Sequence, residues 1–148
     1  MDNSVSTEVK SIYNQLINAW NNRDAHGMAE LYTKDGINIG FDGSKTVGSE
    51  EFFLHVKPIF ENHLTPPFIS KIKDVSILSS DVAILSAIAG MIPPQQSEIN
   101  PNLNTQQTLI TVKIDGNWRI QLFQNTPAQF HGRPELVEQM TNELKEML

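Results

Sequence analysis

Apolar residues at the start of the chain recur with the period of a helix. Counted from Val9 they stand at offsets 0, 3, 4, 7, 8 and 11, and this spacing predicts an amphipathic helix over about residues 5–21. Asp24 follows, and because an aspartate accepts hydrogen bonds from the free amides of a helix start, it predicts a second short helix over residues 25–32. The chain is therefore expected to open with a pair of helices.

The next segment is predicted to hold one short strand and one helix. Apolar residues alternate with small or polar ones over residues 37–41, after a turn signal at residues 35–36. Ser49 and the two glutamates that follow it predict a helix start, because a hydroxyl caps free amides and carboxylates favour the positive end of the helix dipole. Pro58 lacks a backbone donor, so a kink or a split is expected near residues 54–57.

Beyond Pro66 the apolar period changes from about 3.6 to 2, which is typical of strands. Asp115 and Gly116, between two alternating runs, give the strongest hairpin signal of the chain. Pro134 suits the first position of a terminal helix. The predicted strands cover residues 68–78, 82–92, 103–114 and 117–126.

Helices followed by a run of antiparallel strands, rather than strict alternation, predict an α+β fold. The 148 residues fit one domain, with a core over about residues 5–134 and an additional C-terminal helix over residues 134–148. Residues 82–92 carry large apolar side chains on one face of the predicted strand and alanines on the other. Such a strand is covered on both faces, either by a closely packed helix or by a second subunit, and the sequence leaves both open.

Composition removes several classes of function. With 11 basic and 17 acidic residues the net charge is −6, so the phosphates of nucleic acids and anionic lipid headgroups would be repelled. The chain has no cysteine, which excludes disulfides, thiolate nucleophiles and cysteine metal sites. Residues 82–92, the longest uncharged apolar run, are about half the length of a membrane helix, and no signal-peptide pattern is present. We therefore expect a cytoplasmic protein that binds neither nucleic acid nor membrane.

Several short strings stand in a characteristic order and spacing: LINAWNNRD (16–24), MAELY (28–32), DG (35–36), Gly48, QT (107–108), DGNWRI (115–120) and QNTP (124–127). Together they resemble the NTF2-like superfamily, and within it the SnoaL-like small proteins of the SgcJ/EcaC type. The resemblance implies a cone-shaped domain, in which a strongly curved, mostly antiparallel sheet wraps over the N-terminal helices around an apolar cavity. It also implies a homodimer formed through the sheet. Function does not follow, because this fold hosts isomerases, cyclases, dehydratases, hydrolases and association domains.

The positions used by steroid-isomerising relatives argue against that reaction here. Those relatives use a tyrosine of the first helix, an aspartate of the first strand and a second acid deep in the sheet. By the resemblance, Tyr13 lies about one turn before the tyrosine position, while Gly40 and Ile110 stand near the two acid positions. Both carboxylates are therefore absent. The nearest one, Asp42, is first a turn residue because Gly43 follows it.

Histidine is the remaining side chain suited to acid–base chemistry near neutral pH. His55 lies at the edge of the apolar stripe of the third helix, so the best candidate catalyst is His55 together with Tyr13 or Asn125. The alternative interpretation is an ordinary, partly buried histidine at the rim of the core. Whether the protein is an enzyme also stays open. No histidine metal motif or carboxylate cluster occurs in the sequence, so neither a metal site nor a cofactor is predicted.

The ligand site is predicted from large apolar side chains and neutral amides. Residues 82–112 contain one charged residue, Glu98, and residues 120–132 contain none, so a cavity between these strands would be nearly neutral. The expected ligand is therefore apolar or aromatic. The candidate ligand-binding residues are Tyr13, Trp20, Tyr32, Phe41, Phe52, His55, Phe60, Met91, Gln106, Phe123 and Asn125.

Two functions stay open at this point. The first is a homodimeric cone that binds a hydrophobic or aromatic small molecule, with or without weak acid–base activity of the isomerase or cyclase kind. The alternative is a homodimeric association module with no small-molecule activity, which the doubly apolar strand over residues 82–92 favours.

Overall fold

The computed structural model describes the backbone of residues 2–148 and the side chains of residues 4–148. Its helices are α1 (Asp2–Asn21), α2 (Ala25–Ala29), α3 (Ser49–Asn62) and α4 (Pro134–Lys145). Its strands are β1 (Tyr32–Ile39), β2 (Lys45–Val47), β3 (Phe68–Ser79), β4 (Val82–Met91), β5 (Thr105–Ile114) and β6 (Asn117–Pro127). None of the helices among these residues is both long and apolar enough to span a bilayer.

The six strands form one curved sheet in the order β2-β1-β6-β5-β4-β3. Neighbouring strands are antiparallel, except that β1 and β6 are parallel. The helices α1, α2 and α3 cover the inner face, where their buried apolar side chains pack against those of β4, β5 and β6. The predicted α+β fold, with a curved sheet over N-terminal helices and an extra C-terminal helix, is confirmed.

The long strands follow the alternating pattern closely. The ends of β3, β4 and β6 match the predicted ends within a residue, because period 2 is maintained until a turn residue interrupts it. The strand β5 begins at Thr105 rather than at residue 103, since Pro101–Leu103 forms a 3-10 turn. The side chain of Asn100 caps this turn by accepting a 3.0 Å hydrogen bond from the amide of Asn102.

The first strand begins earlier than the sequence indicates. The helix α2 ends at Ala29 rather than at residue 32, and Tyr32 opens β1 opposite Ile120 of β6. The predicted turn at residues 35–36 is wrong, because both residues lie inside β1. A Cβ atom at Gly36 would lie 2.7 Å from the carbonyl oxygen of Ile120, so glycine lets β1 approach β6 closely. The register with β6 shifts between Tyr32 and Ile37, so Asp35 and Gly36 lie in an irregular part of β1 rather than in a turn between two elements. The strand β2 was not predicted at all.

The helix α3 runs without interruption from Ser49 to Asn62, so the split predicted at Pro58 does not occur. Proline removes the hydrogen bond that its amide would donate to the carbonyl of Leu54. Pro58 and Leu54 both lie on the exposed side of the helix, where water can reach that carbonyl. The opposite side packs against the core through Phe52, Val56 and Phe60.

The helix α4 covers one end of the outer face of the sheet. It contributes to a second apolar cluster, formed by Ile88, Ile99, Ala128, Met140 and Leu144. A Cβ atom at Gly90 would lie 2.8 Å from Asn104 Oδ1 and 2.9 Å from Leu144 Cδ1, so the glycine allows this close packing. At this end of β4, the second apolar face is therefore explained by a closely packed helix.

Two lysines of β3 pair with the charged side of α4. The Oε2 atom of Glu143 lies 3.0 Å from the Nζ atom of Lys71, and Glu143 also pairs with Lys73. Glu146 lies 3.7 Å from Lys71 and is more exposed. Hydrogen bonds from Lys73 and Lys71 lower the pKa of the Glu143 carboxyl below its ordinary value.

Docking of α4 is expected to weaken in acid through Glu143. A carboxyl with a lowered pKa in the folded chain stabilises the fold above its unfolded pKa and loses this contribution as the pH falls through the folded pKa. At about pH 6 the melting temperature of Glu143→Gln should therefore lie a few degrees or less below that of the native protein, and the difference should be smaller at about pH 3. Thermal melts followed by circular dichroism measure this.

Glu146→Gln is the matched control for this prediction, because Glu146 is on the same helix but pairs only weakly with Lys71. Its melting temperature should follow that of the native protein at both pH values. A Glu143→Gln difference that stays constant between the two conditions would contradict the assigned role of the Glu143 carboxylate.

Candidate functional site

A cavity of about 390 Å³ opens between the helices and the inner face of the sheet. Its volume falls in the range of small-molecule sites, about 300–1,000 Å³. The apolar lining consists of Leu16, Ile17, Trp20, Met28, Phe41, Phe52, Val56, Ile59, Pro66, Phe68, Met91, Leu103 and Phe123. The polar side chains of the lining are those of Asn38, Asp42, His55, Thr65 and Asn125.

A second depression, of about 460 Å³, lies beside α4. It is an open surface groove whose walls carry charged and amide side chains, among them Arg133, Glu138 and Lys145. Because water reaches this groove freely, it does not offer the apolar surroundings of the inner cavity, which is the candidate site.

The structure places most of the predicted ligand-binding residues in the cavity lining. These are Trp20, Phe41, Phe52, His55, Met91, Phe123 and Asn125. The other predicted residues, Tyr13, Tyr32, Phe60 and Gln106, are not part of the lining. Phe60 packs edge-on against Trp20, with 5.2 Å between the ring centroids, and so supports the cavity wall from behind.

Tyr13 is sealed in the core rather than exposed to the cavity. Its side chain has no exposed surface, and its hydroxyl donates a 2.5 Å hydrogen bond to Oε1 of Gln107. Burial raises the pKa of this hydroxyl. Tyr13 therefore does not line the cavity, whereas His55 does.

Gln106 lies on the outer face of the sheet, where it donates a 3.2 Å hydrogen bond to Oγ of Ser86. Its neighbour Gln107 faces inward and is fully buried, and its Nε2 donates a 2.8 Å hydrogen bond to Oδ1 of Asn125. Successive strand residues point to opposite faces, and two adjacent glutamines give no sequence signal of which one faces inward. Gln106 therefore lies away from the cavity, and Gln107 faces inward without being part of the cavity lining.

Asn38 is a cavity residue that the sequence analysis missed. Its side chain is 8% exposed, and its Oδ1 accepts a 2.9 Å hydrogen bond from the hydroxyl of Tyr32. Tyr32 in turn stacks on Phe52, with 4.6 Å between the ring centroids, and burial raises its pKa. Ile37 and Ile39, whose alternation predicted the strand, are half-buried on the opposite face.

Asp42 and His55 contribute the titratable side chains of the lining. The exposed carboxylate of Asp42 accepts a 2.9 Å hydrogen bond from the backbone amide of Ser44. Hydrogen bonds from Ser44, assisted by the charge of His55, lower the pKa of Asp42. No lysine or arginine lines the cavity, and no three histidine, aspartate or glutamate side chains among residues 4–148 lie together as metal ligands would.

Comparison with known proteins gives the family. The sequence pattern of the SnoaL-like domain matches residues 9–124, from α1 through most of β6. The chain belongs to the SnoaL-like family. No curated protein matches this SnoaL-like sequence. The helix α4 lies outside the matched range, so it is an addition to the part that defines the family.

Solved structures resemble this SnoaL-like chain in fold. A domain of unknown function with a cystatin-like fold from Nostoc punctiforme has 20% identity and a TM-score of 0.79, over 90% of this chain and 83% of its own. An NTF2-like protein of unknown function from Shewanella oneidensis has 18% identity and a TM-score of 0.67, over 81% and 97%. A ketosteroid isomerase-like protein from Erwinia carotovora atroseptica has 18% identity and a TM-score of 0.68, over 83% and 95%.

These likenesses confirm the NTF2-like, SnoaL-like assignment that the sequence strings implied. At this level of identity they concern the fold alone, because this fold serves many unrelated activities. The narrower resemblance to the SgcJ/EcaC type stays a prediction.

Proposed function

We propose that this SnoaL-like protein binds an uncharged, apolar or aromatic small molecule in the cavity between its helices and its sheet. The observation that carries the proposal is the lining itself, because aromatic and aliphatic side chains form most of the wall of a space of about 390 Å³. Removing apolar ligand surface from water would contribute about 25 cal/mol per Å². Trp20, Phe52 and Phe123 supply aromatic rings to this wall, and the half-buried Trp20 is the most accessible of the three.

The charges around the cavity support an uncharged ligand. A buried ion needs an opposite charge or several hydrogen bonds to offset its lost hydration. No lysine or arginine lines the cavity, and the exposed carboxylate of Asp42 adds a negative charge to its wall near neutral pH, as an aspartate does even at its ordinary pKa. An anionic ligand would therefore lose hydration without gaining a permanent positive partner.

The proposal is tested with N-phenylnaphthylamine, a neutral aromatic probe whose fluorescence rises in apolar surroundings. The native protein is expected to bind it saturably. Met91→Trp places a larger side chain in the cavity wall and should weaken binding at least about tenfold, because the added indole fills the space that the probe needs. A fluorescence titration gives the Kd of each protein.

Leu78→Trp is the matched control, since it adds the same side chain at a residue of β3 that is 61% exposed. It should bind the probe as the native protein does, and thermal melts should show that both variants are folded. An unchanged Kd in Met91→Trp, or no binding to the native protein, would refute the proposed function.

Catalysis and self-association stay predictions. His55 and Asn125 both belong to the lining, which supports this pair over His55 with Tyr13 as an acid–base candidate. For a homodimer through the sheet, α4 already covers one end of the outer face, while the half-buried Ile84 and Ile110 lie on that face nearer its other end. The cytoplasmic location also stays a prediction.

A further inference from the structure

We propose that residues 63–67 form a strap over the cavity that opens to admit the ligand, and that Arg23 holds this strap closed. The strap joins the end of α3 to the start of β3, and its Thr65 and Pro66 belong to the cavity lining. The inference rests on the proposed function, because it assigns the route of entry to the same cavity. A strap that admits the ligand controls the rates of binding and release rather than the affinity.

The strap has little backbone attachment to the rest of the fold. Among the described residues, none forms a backbone–backbone hydrogen bond with residues 64–67. The inner side of the strap lines the cavity, whereas Leu64 on its outer side is 73% exposed. A segment with few backbone hydrogen bonds and one exposed side opens at a lower free-energy cost than the helices and strands beside it.

Two prolines make the strap stiff. Pro66 and Pro67 fix their own φ angles, and a residue that precedes a proline is restricted to extended backbone, which applies to Thr65. His63 is also extended, with φ −133° and ψ 144°, at the point where α3 ends. The strap is therefore expected to move as one piece about its two ends.

The end of the strap at β3 is fixed by α1. The side chain of Asn21 accepts a 2.8 Å hydrogen bond from the amide of Phe68 and donates a 3.4 Å hydrogen bond to the carbonyl of the same residue. Trp20 packs against the Phe68 ring, with 5.1 Å between ring centroids, and its Nε1 donates a 3.0 Å hydrogen bond to the carbonyl of Pro66. Because both backbone groups of Phe68 are held, this end is the hinge.

Arg23 holds the other end of the strap. Its guanidinium donates hydrogen bonds to the carbonyls of Phe60 and His63, the latter at 2.6 Å. It also donates a 3.3 Å hydrogen bond to Oγ1 of Thr65. The helix α3 has no basic residue in its own last turn, so this cation from outside the helix also offsets the negative end of the helix dipole.

The backbone of Arg23 has a conformation that usually belongs to glycine, since its φ is 57°. The amide of Arg23 donates a 2.9 Å hydrogen bond to the carbonyl of Trp20. The amide of Asp24 donates one of 2.8 Å to the carbonyl of Ala19, which completes the pattern of a helix closed by a left-handed residue. Any residue with a Cβ atom is strained at this position. Such strain is typical of residues with a functional role, and the contact with the strap gives Arg23 that role.

Arg23→Gly separates the strained backbone from the guanidinium. Glycine suits the left-handed end of α1, but it leaves the strap without its three hydrogen bonds. In stopped-flow experiments with N-phenylnaphthylamine, the association and dissociation rate constants should both rise about tenfold, because the open strap becomes more populated. The Kd should change less than about twofold, because a strap that is still mostly closed leaves the cavity as it is.

Hydrogen exchange of the free protein, followed by NMR, tests the strap without a ligand. The amide of His63 donates a 3.0 Å hydrogen bond to the carbonyl of Ile59 at the end that Arg23 holds. Its exchange should be about tenfold faster in Arg23→Gly, because this end opens more often. The amide of Phe68, bonded to Asn21 at the hinge, should exchange as it does in the native protein.

Two further variants complete the test. Arg23→Lys keeps the positive charge and the strained backbone, but one ammonium group cannot contact all three oxygens as the planar guanidinium does, so its rates should lie between those of the native protein and Arg23→Gly. Asp115→Gly is the matched control, since Asp115 also has a positive φ, 51°, but lies in the exposed turn between β5 and β6. It should leave the binding rates and the exchange of His63 unchanged. Thermal melts check that each variant is folded.

The outcomes separate the two proposals. Unchanged rate constants in Arg23→Gly, or a Kd raised through dissociation alone, would overturn entry under the strap while leaving the proposed binding function standing. Unchanged exchange at His63, or equal acceleration at His63 and Phe68, would show that Arg23 does not hold the strap about this hinge. Absence of saturable binding to the native protein would refute the proposed function, and entry under the strap with it.

Discussion

Replacing Phe52 with alanine is expected to lower the free energy of unfolding by about 3–5 kcal/mol. The ring is 2% exposed, stacks on Tyr32 at 4.6 Å between centroids, and forms part of the cavity wall. Its loss removes buried apolar contacts and leaves empty space that neighbouring side chains fill only in part. Urea unfolding followed by circular dichroism measures the change.

Phe53→Ala is the matched control, because it removes the same ring from the next position of α3. Phe53 is only half-buried at the edge of the core, with its ring edge-on to His26 at 6.3 Å between centroids and Lys57 Nζ 5.8 Å from its ring centroid. Its loss should therefore cost clearly less than the loss of Phe52, about 1–2 kcal/mol. Equal losses for the two variants would mean that α3 does not face the core as described.

Replacing Leu144 with alanine should lower the free energy of unfolding by about 2–5 kcal/mol. Leu144 has no exposed surface, although it lies only a few residues from the end of the chain. Its Cδ1 atom would lie 2.9 Å from a Cβ atom at Gly90, so the side chain fills the space that this glycine leaves free. Deleting it opens a void between α4 and the sheet.

Leu148→Ala provides the comparison for Leu144→Ala, since Leu148 is 71% exposed and should change stability by less than about 0.5 kcal/mol. Urea unfolding of both variants gives the two values. If Leu144→Ala behaved like Leu148→Ala, α4 would contribute little to the fold and its packing on β4 would be refuted.

The elements that the sequence predicted well are those specified by local pattern. The hairpin between β5 and β6 follows from Asp115 and Gly116, because two-residue turns with this composition match the twist of paired strands. The terminal helix follows from Pro134 and the apolar spacing after it. In each case the information lies within a few neighbouring residues.

The missed features depend on partners far away in the sequence. The sequence predicts the end of a helix and a turn where the first part of β1 lies. The strand forms there because Tyr32 pairs with Ile120 of β6, and a local pattern cannot indicate so distant a partner. Asn38 was missed because its role depends on the Tyr32 hydroxyl and on which strand face is turned inward. The same ambiguity of face placed Gln106 among the candidate residues, although its side chain lies on the outer face of the sheet. The aromatic residues of the cavity lining were easier to predict, because large apolar side chains are usually buried, whichever way the elements of a fold pack.

The parallel pairing of β1 with β6 has a consequence for the order of folding. The strands β5 and β6 are neighbours in sequence and pair through a short turn. The pairing of β1 with β6, in contrast, closes a loop that contains all of the chain between these two strands. Asn38 and Asn125 lie on these two strands, so the cavity is completed only when that loop closes. A ligand that binds the completed cavity therefore also holds the two ends of this loop together, and it stabilises the folded chain by an amount that grows with its concentration relative to its Kd.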